Sequence, residues 1–184
     1  MERQNVNKKI VVACGALVAA FSMTASAVSN NTISFQGEVS TQTCAVTVNS
    51  DSAPVVLLPT VSTSALTALG NVAGATTFEL ALSGCSTAET VTNVNAVFSG
   101  NLVDTANLGT LSNTGTATNV NLQLVDSANQ PIDLSSTWTS TNNELAIEAG
   151  QTSSSATYSV RYYATGAAEA GTVAGSVEYA VSYL

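Results

Sequence analysis

Residues 171–184 read GTVAGSVEYAVSYL, and their alternation decides the fold class. Val173, Val177, Tyr179, Val181 and Tyr183 share one parity with Gly171 and Gly175. Thr172, Ala174, Ser176, Glu178, Ala180 and Ser182 share the other. A period of two puts each set on its own face of an extended strand, one face for a core and one for water. The same rhythm recurs upstream. Phe78, Leu80 and Leu82 alternate with Glu79, Ala81 and Ser83, ending at Gly84-Cys85. Val94, Ala96 and Phe98 alternate with Asn93 and Asn95. Val120, Leu122 and Leu124 alternate with Asn121 and Gln123, and Tyr158, Val160 and Tyr162 with Ser159 and Arg161.

Nearer the start, Ile33, Phe35, Gly37 and Val39 share one parity, whereas Cys44, Val46 and Val48 share the opposite one. The switch predicts a bulge or turn near residues 40–43, because one inserted residue moves every later side chain to the other face. Residues 55–58 form a short apolar run between Pro54 and Pro59. Clusters of turn-forming residues lie at 49–53, 101–118, 126–130 and 135–143. Residues 63–72, with Leu66 and Leu69 three apart, are a candidate short helix. Past residue 27 there is no long 3.6-residue period, no internal repeat and no domain linker. Many short strands without intervening helices predict an antiparallel sandwich or barrel. Ser, Thr, Asn, Ala and Gly are abundant and only 9% of residues are charged. That bias alone would suit a disordered chain, but the recurrent apolar alternation argues for a packed core.

The first 27 residues belong to a different category. Arg3, Lys8 and Lys9 precede an apolar run over residues 10–21, and Ala25-Ser26-Ala27 supplies a small-x-small cleavage pattern. This predicts a secretory signal peptide cut after Ala27. The alternative, an uncleaved anchor, asks for about 20 apolar residues. Residues 28–184 then make one domain's length. Cleavage removes three of the four basic residues and Glu2 alone of the twelve acidic ones, leaving Arg161 as the one basic side chain and a net charge of −10. Such a chain repels nucleic acid, whose affinity rests on Lys and Arg neutralising phosphates, and it disfavours anionic membranes. Cys14 leaves with the leader. Cys44 and Cys85 are an even pair in an exported chain, which predicts a disulfide in preference to two buried thiols.

Little in the sequence suggests chemistry. It has no histidine, which removes His-dependent nucleophile systems and His-based metal sites together. No glycine-rich phosphate loop opens a helix, and no dense Asp/Asn loop offers calcium ligands. No cofactor and no metal site are expected. Glu144 and Glu148 are a candidate carboxylate pair for a hydrolase, but their shared parity in an extended chain predicts solvated surface charge. Trp138, among Ser and Thr, is a candidate platform for a sugar; the plainer expectation is a loop anchor.

Several segments, in order, carry a family likeness. Residues 33–39, ISFQGEV, followed by Cys44-Ala45-Val46, resemble the opening of the major pilins of chaperone–usher fimbriae, type 1 subunits in particular. Residues 57–61, LLPTV, the segment FELALSGC ending at Cys85, and residues 162–166, YYATG, resemble later landmarks of that family. Gly171, fourteenth from the C-terminus, and the penultimate Tyr183 are similar to its C-terminal chaperone-recognition motif. The resemblance implies an incomplete immunoglobulin-like β-sandwich of six main strands with one disulfide, lacking its final strand and completed by a donor strand. It implies residues 1–27 as signal peptide, 28–36 as donor extension and 37–184 as the pilin domain. Ile33 and Phe35 are the implied plugs, and Asn31 is the candidate for the place of the family's donor-strand glycine. Gly171, Val173, Val177, Tyr179, Val181 and Tyr183 are the implied wall of the groove and the surface for chaperone and subunit recognition. The implied partners are identical or related pilin subunits, a periplasmic chaperone, an outer-membrane usher and a tip adhesin. The implied location is an extracellular fimbrium reached through the periplasm. A minor or tip-adaptor subunit that itself binds a host glycan is the alternative.

Overall fold

A computed structural model describes residues 44–184. The expected leader, the donor residues Asn31, Ile33 and Phe35, and the bulge near residues 40–43 lie outside the described residues. The rest is built from strands. In chain order they are β1 (Ala45–Val48), β2 (Val72–Ser83), β3 (Val94–Gly100), β4 (Val103–Asp104), β5 (Thr110–Leu111), β6 (Val120–Val125), β7 (Trp138–Thr139), β8 (Ser154–Ala164) and β9 (Val177–Tyr183). One antiparallel sheet runs β1-β2-β8-β6-β5-β4, and a second runs β7-β3-β9. Their apolar faces meet in a main core, beside which Leu66, Val120 and Ala164 form a smaller buried cluster.

The alternation read from the sequence sets that core. Leu80, Leu82, Val94, Ala96, Phe98, Leu124 and Tyr158 are buried between the sheets. Four aromatic rings form its centre. Phe98 meets Tyr158 edge-on with centroids 5.1 Å apart, Phe78 stacks on Tyr158 at 5.9 Å, and Trp138 stacks on Phe98 at 5.8 Å, arrangements favoured by the ring quadrupole. The long β2–β8 ladder pairs Phe78 with Tyr158 and is interrupted between Ala73 and Thr76. Gly74 sits in that irregularity at φ +63°, where a Cβ would stand 2.9 Å from the Tyr162 ring and from Val61 Cγ1. Both the left-handed backbone and the close approach call for glycine there.

Cys44 is bonded to Cys85 across 41 residues. The bridge ties the start of β1 to the residues that follow β2, and closing a loop of that size stabilises the fold by roughly 3–4 kcal/mol in the chain-entropy account.

Three features differ from the sequence reading. The candidate helix at 63–72 is a single 3₁₀ turn, Thr63–Ala65, capped by Ser62 Oγ accepting from Ser64 N at 3.2 Å. The last strand begins its ladder at Val177; residues 172–174 instead bond to residues 114–117, with Thr114 N donating to Ala174 O (2.9 Å) and Ala117 N to Thr172 O (3.0 Å). Strand β6 is buried on both faces. Its polar side chains are partnered: Asn121 Nδ2 donates to Thr110 Oγ1 (2.9 Å) and Asp104 Oδ2 (3.0 Å), and Gln123 Oε1 accepts from Arg161 Nε (2.9 Å) and one terminal guanidinium nitrogen (2.7 Å).

Candidate functional site

The most distinctive feature is a gap in the sandwich. Strand β9 pairs with β3 on one side and, among the described residues, with no strand on the other. Facing it across the gap runs the extended segment from Pro54 to Val61. Among the described residues no backbone hydrogen bond ties this segment to a neighbouring strand. Its side chains nonetheless alternate as a strand's do: Val56 and Leu58 turn inward, half-buried on the core, whereas Val55 and Leu57 face water. Pro54 and Pro59 each lack a backbone donor.

Between these two walls lie two cavities. The first, about 440 Å³, has Val56 and Leu58 on one wall, Gly175, Val177 and Tyr179 on the other, and Phe78, Phe98, Leu111, Leu122, Leu124 and Val160 as its floor. The second, about 420 Å³, continues between the same two chain segments, with Thr60 and Val61 on one wall and Gly171, Thr172 and Val173 on the other. Leu66, Val120 and Tyr162 line its depth. Together they form an open slot with an apolar floor. At the mouth of the first cavity Tyr179 Oη donates to Ser52 O at 3.5 Å, a contact between segments 127 residues apart in sequence.

The predicted site residues separate as follows. Gly171 and Val173 line the second cavity, and Val177 and Tyr179 the first. Val181 and Tyr183 continue the same half-buried face further along β9, packed against the core. Gly171 is held against another segment so closely that a Cβ would collide with the Ala117 backbone. The opposite wall, Val56 and Leu58, was visible in the sequence as a Pro-bracketed apolar run. Nothing local assigns it to a groove, because the assignment needs β9 across from it.

Elsewhere Asp104 and Asp133 are held by hydrogen bonds, whereas the buried Glu144 carboxylate oxygens, Tyr158 Oη and Asn95 Oδ1 have no hydrogen-bond partner among the described residues. Asp104 is held below its usual carboxylate range chiefly by the hydrogen bond from Asn107 Nδ2 (2.7 Å), with further help from Asn121 and the Ala106 amide, against an opposing effect of burial. The Ser135 side chain and amide lower Asp133. Burial raises the Tyr158 phenol well above its ordinary value, and the neighbouring Glu144 carboxylate adds to the shift. That Glu144 position corrects the expectation of a solvated pair: both Glu144 carboxylate oxygens are buried while Glu148 is exposed. Residues 143–146 form a turn, with Ala146 N donating to Asn143 O at 2.9 Å, so strand parity does not apply there. Trp138 belongs to β7, and one face of its indole lies on Phe98. Among the described residues no metal-ligating cluster of acidic or cysteine side chains occurs. No helix among them is long and apolar enough to cross a membrane.

The family model for fimbrial proteins matches residues 33–184. The chain is 34% identical over 160 residues to the major fimbrial subunit SMF-1 of Stenotrophomonas maltophilia, covering 84% of this chain and 92% of that protein. It is also 34% identical over 178 residues to the F17 fimbrial protein of Escherichia coli, covering 91% and 94%. In fold it is similar to the P pilus rod subunit PapA, with a TM-score of 0.58 at 13% identity over 77% of this chain and 99% of that one. A second similar structure is a chaperone–usher pilus, with a TM-score of 0.57 at 16% identity over 85% and 97%. The two-sheet, disulfide-linked architecture is therefore the immunoglobulin-like fold of such subunits.

Proposed function

The chain belongs to the fimbrial protein family, and we propose that it is a structural subunit of a chaperone–usher pilus in which residues 28–36 of one copy complete the groove of the next. The observation that carries this reading is the slot itself: residues 171–179, which lead into β9, and residues 54–61 flank an apolar floor with a strand's place open between them. A strand laid there gains a ladder of main-chain hydrogen bonds, and its alternate side chains enter the cavities. The lengths agree. The wall from Gly171 to Tyr179 and the segment 28–36 each span nine residues. Ile33 and Phe35 are the apolar plugs, each worth roughly 1.5–3 kcal/mol when buried, with Asn31 on the same parity.

The charge of the chain supports the same mode. Copies carrying only acidic excess repel one another, so apolar insertion and backbone pairing must supply the attraction. Because donor and acceptor surfaces differ, each contact leaves a free end on both sides and the assembly grows as an open filament. Before assembly the slot exposes apolar core beside an open strand edge, a surface that aggregates unless covered. A periplasmic chaperone that lends a strand during export, followed by hand-over at an outer-membrane usher, meets that need, with Gly171, Val173 and the β9 face as its contact. The proposed role is mechanical and asks for no catalysis. The alternative role, an adaptor that binds glycan through Trp138, is weakened by the ring's stacking on Phe98.

Deleting residues 28–36 from the exported chain tests the reading. Export and chaperone binding should persist while head-to-tail fibres disappear from negative-stain micrographs. Fibres of normal length from the truncated subunit would show that another segment is the donor.

A further inference from the structure

The wall opposite β9 has a second face. Val55 and Leu57 stand 79% and 81% exposed, more than any other large apolar side chain among the described residues. They alternate with Val56 and Leu58, which face the groove. One exposed apolar residue is ordinary, but two on a single extended ridge beside an apolar slot make a patch of the kind that marks an interaction surface. Pro54 and Pro59 bracket the ridge, and among the described residues no strand pairs with it. No charged residue occurs from Ser52 to Phe78. In a chain with acidic excess, such a neutral stretch is where two copies can approach without like-charge repulsion.

We propose that the Val55–Leu57 ridge is a second interface between copies of this chain, covered by the body of the subunit whose leading peptide fills the adjacent groove; this rests on the strand-completion reading above. The chain's own connectivity supplies the occupant. Residues 37–43, seven in number, separate the donated segment from Cys44, where the folded domain is pinned by its disulfide. Fully extended they reach about 25 Å. A subunit that donates its leading peptide therefore holds its own domain close to the acceptor's groove, of which this ridge is the outer rim. The apolar outer face and the apolar slot then serve one neighbour by two means, the strand entering and the domain resting alongside.

The test uses the full exported chain carrying an environment-sensitive fluorophore at L57C, with V55C as a second position and S127C, on an exposed turn far along the sequence, as control. Polymerisation should blue-shift emission at positions 55 and 57 and leave position 127 unchanged. A free peptide of residues 28–36 fills the groove without bringing a domain, so it should bind and leave all three labels unmoved. If the peptide binds and fibres form while labels at 55 and 57 emit as in the peptide-filled monomer, the second interface is refuted and strand completion stands. A full shift with peptide alone also refutes it, because the ridge then responds to the strand itself. Failure of the peptide to bind removes the strand-completion reading and this inference with it.

Discussion

Gly171 and Gly175 share one face of the C-terminal segment, and replacing each with alanine should have very different consequences. Neither has a left-handed backbone, so an alanine there carries no conformational strain and any cost is steric. At Gly175 the new methyl meets Leu122 Cδ1 at 3.2 Å and Leu111 Cβ at 3.6 Å. The nearer contact is the tip of a flexible side chain beside a cavity, and it can move. At Gly171 the methyl collides with the Ala117 backbone, which cannot yield without parting two chain segments. Those segments are joined by hydrogen bonds from Thr114 N to Ala174 O (2.9 Å), Ala117 N to Thr172 O (3.0 Å) and Thr172 N to Thr116 Oγ1 (2.9 Å). Losing two or three of them at about 1 kcal/mol each gives a cost of roughly 2–3 kcal/mol, in the range of other overpacking substitutions. For a domain of this size that lowers Tm by about 4–12 °C, whereas G175A should stay within about 1 kcal/mol of the parent. Thermal denaturation followed by circular dichroism, with binding of a 28–36 peptide measured alongside, checks both. G171A should also bind the peptide more weakly, since the displaced segment is a wall of the second cavity. Equal melting of the two variants would refute the reasoning that Gly171 is fixed by its neighbour's backbone.

Two further predictions concern the scaffold. Replacing Cys44 and Cys85 together by serine should lower unfolding free energy by roughly 3–4 kcal/mol, read from denaturant titration, with a steeper slope because the unfolded chain is no longer cross-linked. For Asp104, hydrogen bonds from Asn107, Asn121 and the Ala106 amide favour the ionised form in the folded state. A depressed folded pKa contributes stability that is present above the unfolded carboxylate value and lost as pH falls through the folded one. D104N should therefore melt below the parent at pH 7, and the gap should close on acidification below the ordinary carboxylate range; a gap independent of pH would place its cause elsewhere.

The period-two face of residues 171–184 was readable because it is a local property, and Val173, Val177, Tyr179, Val181 and Tyr183 all pack on the core as that face requires. Where the ladder starts was not readable. Residues 172–174 leave the β9–β3 register for partners near Asn113, whose Oδ1 accepts from Ala174 N at 2.9 Å, and such a choice is made by tertiary packing. The polar residues of β6 misled for the same reason: Asn121 and Gln123 are buried because Asp104, Thr110 and Arg161 reach them from distant parts of the chain. Glu144 was misplaced by applying strand parity to a turn. Trp138 looked like a loop residue because its partner, Phe98, lies forty positions earlier. The disulfide needed only two cysteines in a chain read as exported, whereas the groove needed two walls far apart in the sequence.

The position of the disulfide has a mechanical consequence for a filament under traction. In the strand-completed filament proposed above, tension on the donated leading peptide would enter its own domain at Cys44. From there the four-residue β1, at the margin of its sheet, would otherwise take the load alone. The covalent bridge to Cys85 shunts that load directly to the far end of β2, whose long ladder with β8 must shear along its whole length before it fails. A subunit joined this way resists tugging like a rivet through two plates, and the terminal seam cannot be peeled open first.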